Sequence, residues 1–244
     1  MKHLLKVLVF IFSFNSLLFS ENIYVNSSNY TDGIKSANDG DVIYFIDRYD
    51  INTTGTLTTN NTHIFGNNTI LSGSNTHGIF ETVPNGNFSG FSNITLRDAN
   101  AGYYYGGAIY VRGDLTGNIT NSNFIANSAG YGGAIMAHQN LNAIITNTNF
   151  TNNTANNHGG AIYVFGNSNA TFDNVIFLGN NASTYGGALF FASTFNGIIQ
   201  NSSFTNNYAG DQGERFMQVT FKELSPTQTS QITQQVMVER FLHT

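Results

Sequence analysis

Few side chains in the repetitive half of this chain can do acid–base or metal chemistry. Between Ala101 and Gly213 the only acids are Asp114, Asp173 and Asp211, and the only Arg or Lys is Arg112. Hydrolysis of a glycosidic bond needs two carboxylates converging on it. Elimination needs an acidic calcium site and a basic proton acceptor. The three acids do not recur at matching positions, so no catalytic constellation is predicted, and neither a metal nor a cofactor is implied. Arg112 and Asp114 read as a solvated surface pair. Asp39-Gly40-Asp41 could hold calcium, but Asp-Gly also builds turns. His138 and His158 lie at different positions, with no further metal ligands near either in sequence. Cysteine is absent, which removes disulfides and thiolate sites. Charged residues make up 9% and the net charge is −5. No basic patch is present, which excludes a nucleic-acid partner.

One series of side chains does suit recognition. Tyr105, Tyr131, His158 and Tyr185 each precede a Gly-Gly pair. Stacked in a column, they could present aromatic faces to sugar rings, or they could simply cover a corner of the fold.

What positions such a column is an internal repeat. Gly106-Gly107-Ala108-Ile109 returns at Gly132, Gly159 and Gly186, in steps of 26, 27 and 27 residues. Phe-x-x-Asn keeps the same beat at Phe124, Phe150, Phe177 and Phe204. So does a further series, Asn121, Asn147, Asn174 and Asn201. Between the glycines lie short runs rich in Ile, Val, Thr, Phe and Tyr, which favour strands, and no helical apolar stripe appears. Each unit is too small to bury a core alone, whereas stacked units bury a continuous one. The prediction is an all-β right-handed parallel β-helix of about seven coils, with like residues stacked roughly 4.8 Å apart.

In such a stack Ile119, Ile145, Phe172 and Ile199 face inward. Simple alternation places Asn121, Asn147, Asn174 and Asn201 on the same inner face, bonded amide to amide as a ladder. The four phenylalanines form an aromatic stack. The glycine pair makes a tight corner with positive φ.

The pairing of GGA[IL] with Phe-x-x-Asn resembles the repeat of chlamydial polymorphic outer-membrane proteins and similar adhesin-like surface proteins. The resemblance covers Ala101 to Gly213. It implies a β-helical passenger at the cell surface that works in adhesion, with cell-surface glycans or proteins as partners. That family's members typically carry a C-terminal membrane barrel, which has no counterpart in this sequence. Residues 21–100 resemble the N-terminal coils of pectin-lyase-like β-helices, a fold that also hosts polysaccharide hydrolases and lyases. A carbohydrate-active enzyme and an inactive truncated fragment are therefore the alternatives. Leu96 and Ala99 take the Phe and Asn places of a degenerate first repeat.

The ends read differently. Lys2 and Lys6, an apolar run from Val7 to Phe19 and a small residue at Ser20 predict a secretory leader over residues 1–20. Residues 214–244 contain neither Gly nor Asn. They read as a cap, a linker, a short helix over Ser230–Leu242, or the product of a frameshift. With codons chosen to fit, deleting one base from Gly-Gly-Ala-Ile-Tyr-Ala gives Gly-Glu-Arg-Phe-Met, the residues from Gly213 to Met217.

Overall fold

The computed structural model of the protein describes residues 21–57 and 62–210. The expected leader and the tail from 214 onward lie outside the described residues. Every strand pairing is parallel, and three sheets run along a β-solenoid. An 11-stranded sheet carries the longest strands, including Phe88–Arg97, Ile144–Thr151 and Thr171–Leu178. A 6-stranded sheet is built from the segments after the glycine pairs, Ile109–Val111, Ile135–Ala137, Ile162–Val164 and Leu189–Phe191, preceded by Gly55–Leu57 and Phe80–Thr82. A 4-stranded sheet of two-residue strands closes each later coil.

Six strands in the second sheet give about six turns rather than seven. The first coil contributes a helix, Tyr30–Lys35, beside Gly55–Leu57 at the end of that sheet. This helix, which the β-rich composition does not suggest, covers the end of the core. Ile34 is fully buried, and the Tyr30 ring lies 6.1 Å from that of Phe45 and 6.2 Å from that of Phe80. The Tyr30 hydroxyl donates to the Ile79 carbonyl at 2.6 Å.

The repeat registers put like residues in contact. Phe124, Phe150, Phe177 and Phe204 are paired rung to rung, and Leu96 pairs with Phe124. Successive rings are 4.7, 5.0 and 4.6 Å apart and nearly parallel. Because Leu96 already fills this place in one coil, Phe150→Leu should lose about 1 kcal/mol, measured as a shift in urea midpoint.

The asparagines correct the simple alternation. Asn121, Asn147, Asn174 and Asn201 are exposed, with φ between 49° and 54°. They do form a ladder, but an outer one: Asn147 donates to Asn121 at 3.2 Å and Asn174 to Asn147 at 2.7 Å. Asn201 leaves the column and donates to Asp173. A left-handed residue interrupts the pleat, so Thr120 and Asn121 both face outward and Ser122 turns in. Asparagine suits that conformation better than most residues.

The inner ladder is the Asn of Phe-x-x-Asn. Asn127, Asn153 and Asn180 are fully buried. The residue before each, Ala126, Asn152 or Gly179, is again left-handed and swings the Asn into the core. The Asn153 amide donates to the Asn180 side chain at 2.9 Å and to the Phe124 carbonyl at 3.0 Å. Its oxygen accepts from both the backbone and the side chain of Asn127. In the degenerate coil, the Ala99 N–H donates to the Asn127 oxygen.

Candidate functional site

The aromatic column follows from the glycine pair. Gly106, Gly132, Gly159 and Gly186 have φ between 61° and 69°, which turns the chain sharply into the 6-stranded sheet. The preceding residue therefore sits at a corner, and each corner hydrogen-bonds the next: Gly106 N–H to the Tyr131 carbonyl, Gly132 to His158, Gly159 to Tyr185. Tyr105, Tyr131, His158 and Tyr185 form a continuous column of ring contacts, tilted, edge-to-face and stacked in turn, with ring centroids 5.6, 5.5 and 5.1 Å apart.

A second column lies beneath it, which alternation alone would have placed in solvent. Ile109, Ile135, Ile162 and Leu189 face the core, so Tyr110, Met136, Tyr163 and Phe190 point away from it. Yet Met136, Tyr163 and Phe190 are buried, as a separate apolar cluster outside the coil. The corner column covers them: Tyr131 is 5.3 Å from Tyr163 and His158 is 4.8 Å from Phe190. The two columns together make an aromatic layer on the outside of the 6-stranded sheet. The outer rings remain partly accessible, with Tyr105 38% exposed.

A third column borders the layer. His138 stacks on Phe165 at 5.5 Å, and Phe165 is 55% exposed. One coil earlier the place belongs to Arg112, whose guanidinium lies 5.2 Å from the centre of the Tyr110 ring. Arg112 pairs with Glu81 of the preceding coil at 3.0 Å, rather than with Asp114 as sequence proximity suggests. Asp114 instead accepts from the backbone and side chain of Asn140 in the next coil. Both departures have one cause: side chains meet across rungs, 26 to 31 residues apart in sequence.

Burial sets the electrostatics of this layer. It raises the Tyr110 and Tyr163 phenols above their ordinary value, with Arg112 opposing the rise at Tyr110 and neighbouring tyrosines adding to it at Tyr163. Burial lowers the His158 imidazole, so the fold favours its neutral form. The folded pKa lies below the unfolded one, so stability is complete above the unfolded pKa of about 6.5 and falls as pH drops through the folded pKa. The urea midpoint should therefore decline below about pH 6.5, and His158→Tyr should flatten the decline. His63, also lowered mainly by burial, should leave a remainder of the same sign.

The Asp39-Gly40-Asp41 stretch is a turn. The Asp41 carboxylate accepts the N–H groups of Glu21 and Asn38, both at 2.7 Å. Burial alone would raise this carboxyl, but those donors outweigh it and hold the carboxyl below its usual range.

Residues 147–164 match the model of the Chlamydia polymorphic membrane protein (Chlamydia_PMP) repeat. The matched stretch runs from the outer-ladder Asn147 through Phe150, Asn153 and Gly159-Gly160-Ala161-Ile162 to Val164. Phe150, Asn153, Ala161, Ile162 and Val164 are inaccessible to solvent. The matched stretch thus spans the buried residues that build one coil together with the outward His158 of the corner column. No curated protein and no solved structure gives a match to the chain.

Proposed function

We propose that this β-solenoid with a polymorphic membrane protein repeat is an exported, non-enzymatic surface protein of adhesin type. It engages cell-surface glycans or proteins through the side of the solenoid that carries the aromatic layer. One observation carries the reading: outward aromatic rings follow one another in contact over four coils, with centroids 5.1 to 5.6 Å apart, and remain partly accessible. Extended repeat surfaces serve binding, and tyrosines provide large, rigid contacts that lose little entropy. Among the described residues the acids of the repeat are used laterally in place, Asp114 on Asn140 and Asp173 on Asn201, which favours binding over catalysis.

The test is binding of the purified full chain to cultured cells and to an immobilised glycan panel, with polysaccharide cleavage assayed in parallel. The double variant Tyr131→Ser/Tyr185→Ser, checked for fold by circular dichroism, should bind about tenfold more weakly, equivalent to about 1.4 kcal/mol. Unchanged binding would reject the aromatic layer as the contact surface. Cleavage without binding would favour the carbohydrate-active enzyme instead.

A further inference from the structure

The aromatic layer stops abruptly at its N-terminal end, and the step it leaves is a groove. Phe80 and Glu81 pair with Ile109 and Tyr110. The Ile79 and Phe80 N–H groups both donate to the Ala108 carbonyl, just as those of Ala108 and Ile109 donate to Ala134. Counting back from Ile79, Thr76-His77-Gly78 stands where Tyr105-Gly106-Gly107 stands one coil later. The corner column therefore ends in a threonine and the inner column in a glutamate. Among the described residues no ring continues the column below Tyr105 and Tyr110. That side, where Arg112 lies over Tyr110, opens onto a groove of about 730 Å³ that is also lined by Tyr104, Glu81 and His77. That volume lies within the range of about 300–1,000 Å³ of ordinary small-ligand sites.

We propose that this groove is a saccharide site, in which a neutral pyranose ring takes the place of the missing aromatic rung. The proposal rests on the surface-binding reading above and names the ligand class at one end of the same layer. A pyranose offers an apolar C–H face to an aromatic ring and a rim of hydroxyls at its edge. The groove supplies both complements. Tyr104, 77% exposed, and Tyr105 form the wall. Glu81 and Arg112, both partly exposed, form a polar pair at the floor. The pair is held in place, because Glu81 also receives the Thr56 hydroxyl at 3.5 Å and Arg112 lies over Tyr110. Paired carboxylate and guanidinium leave no net charge to draw a charged sugar, but each keeps bonding capacity for hydroxyls. Holding both groups in position before binding reduces the cost of ordering them.

The test uses the full chain in saturation-transfer NMR titrations. The probes are the methyl pyranosides of glucose, galactose, mannose and N-acetylglucosamine, with sialic acid and glucosamine as charged comparators. At least one neutral glycoside should bind with a dissociation constant on the order of 1 mM. Glu81→Gln should weaken it about tenfold, Tyr104→Ala about fivefold, and Tyr208→Ser, on another face, not at all. Urea melts of each variant separate loss of the site from loss of the fold. The proposal is overturned if no neutral glycoside binds, if a charged sugar binds better, or if both groove variants bind like wild type. Cell binding measured on the same variants tells the two readings apart. Glycoside binding lost in Glu81→Gln with no effect of Tyr131→Ser/Tyr185→Ser on cell binding rejects the broader surface and retains the groove. The converse pattern rejects the groove alone.

Discussion

Replacing Asn153 by alanine should destabilise the protein by about 4 kcal/mol, since each stranded buried polar group costs about 1–3 kcal/mol. The Asn153 amide makes four hydrogen bonds inside the core, at a site closed to solvent. Alanine strands the backbone N–H of Asn127 and removes an amide donor from the Phe124 carbonyl. The outer ladder predicts the opposite sensitivity. Asn147 is exposed and left-handed, so Asn147→Gly keeps the backbone conformation and gives up two solvent-accessible bonds, to Asn121 and from Asn174. Its cost should stay within about 1 kcal/mol. Urea unfolding of both variants distinguishes the inner column from the outer one. Equal losses would contradict the assignment.

A single methyl group at Gly160 should be worse still. A Cβ there would lie 2.0 Å from the Gly187 carbonyl oxygen and 2.7 Å from the Asn181 nitrogen. Both are backbone atoms of the next coil, and that coil is itself fixed by rung-to-rung hydrogen bonds. Neither neighbour can rotate aside as a side chain would. Gly160→Ala should cost more than about 5 kcal/mol, in the range where native protein is no longer recovered. The measurement is the yield of protease-resistant solenoid. Gly102→Ala is the comparison: Gly102, unlike Gly160, has positive φ, but a Cβ there would meet nothing within 4 Å. Only the left-handed penalty of about 1–2 kcal/mol should remain.

The period, the Phe stack and the corner glycines are legible in the sequence because each depends only on like residues falling over one another. Which asparagine enters the core is not legible from alternation. Alternation assumes an unbroken pleat, and left-handed residues at Asn121 and Ala126 reset the parity twice within a few residues. The signal that could have found the inner ladder is the fixed distance from Phe124 to Asn127, which Phe150 and Asn153 repeat. The four corner aromatics could be aligned from the sequence, but their burial of Met136, Tyr163 and Phe190 could not. That outer cluster needs two columns to lean together, and no one-dimensional pattern records lean. Sequence proximity points Arg112 at Asp114 and misleads for a related reason, since nearness along the chain counts for less here than nearness across rungs. The Tyr30–Lys35 helix escapes because it is one short turn placed at the end of the core.

The two asparagine ladders also differ in sense. In the inner one, Asn127, Asn153 and Asn180 each donate toward the following coil. In the outer one, Asn121, Asn147 and Asn174 each donate toward the preceding coil. A chain of like-pointing amides polarises its own members and strengthens each bond, but it also builds up a dipole along its length. Running a second amide chain the other way lets each column keep that mutual reinforcement while their axial moments oppose. A tower of coils can therefore lengthen without its axial moment growing in proportion.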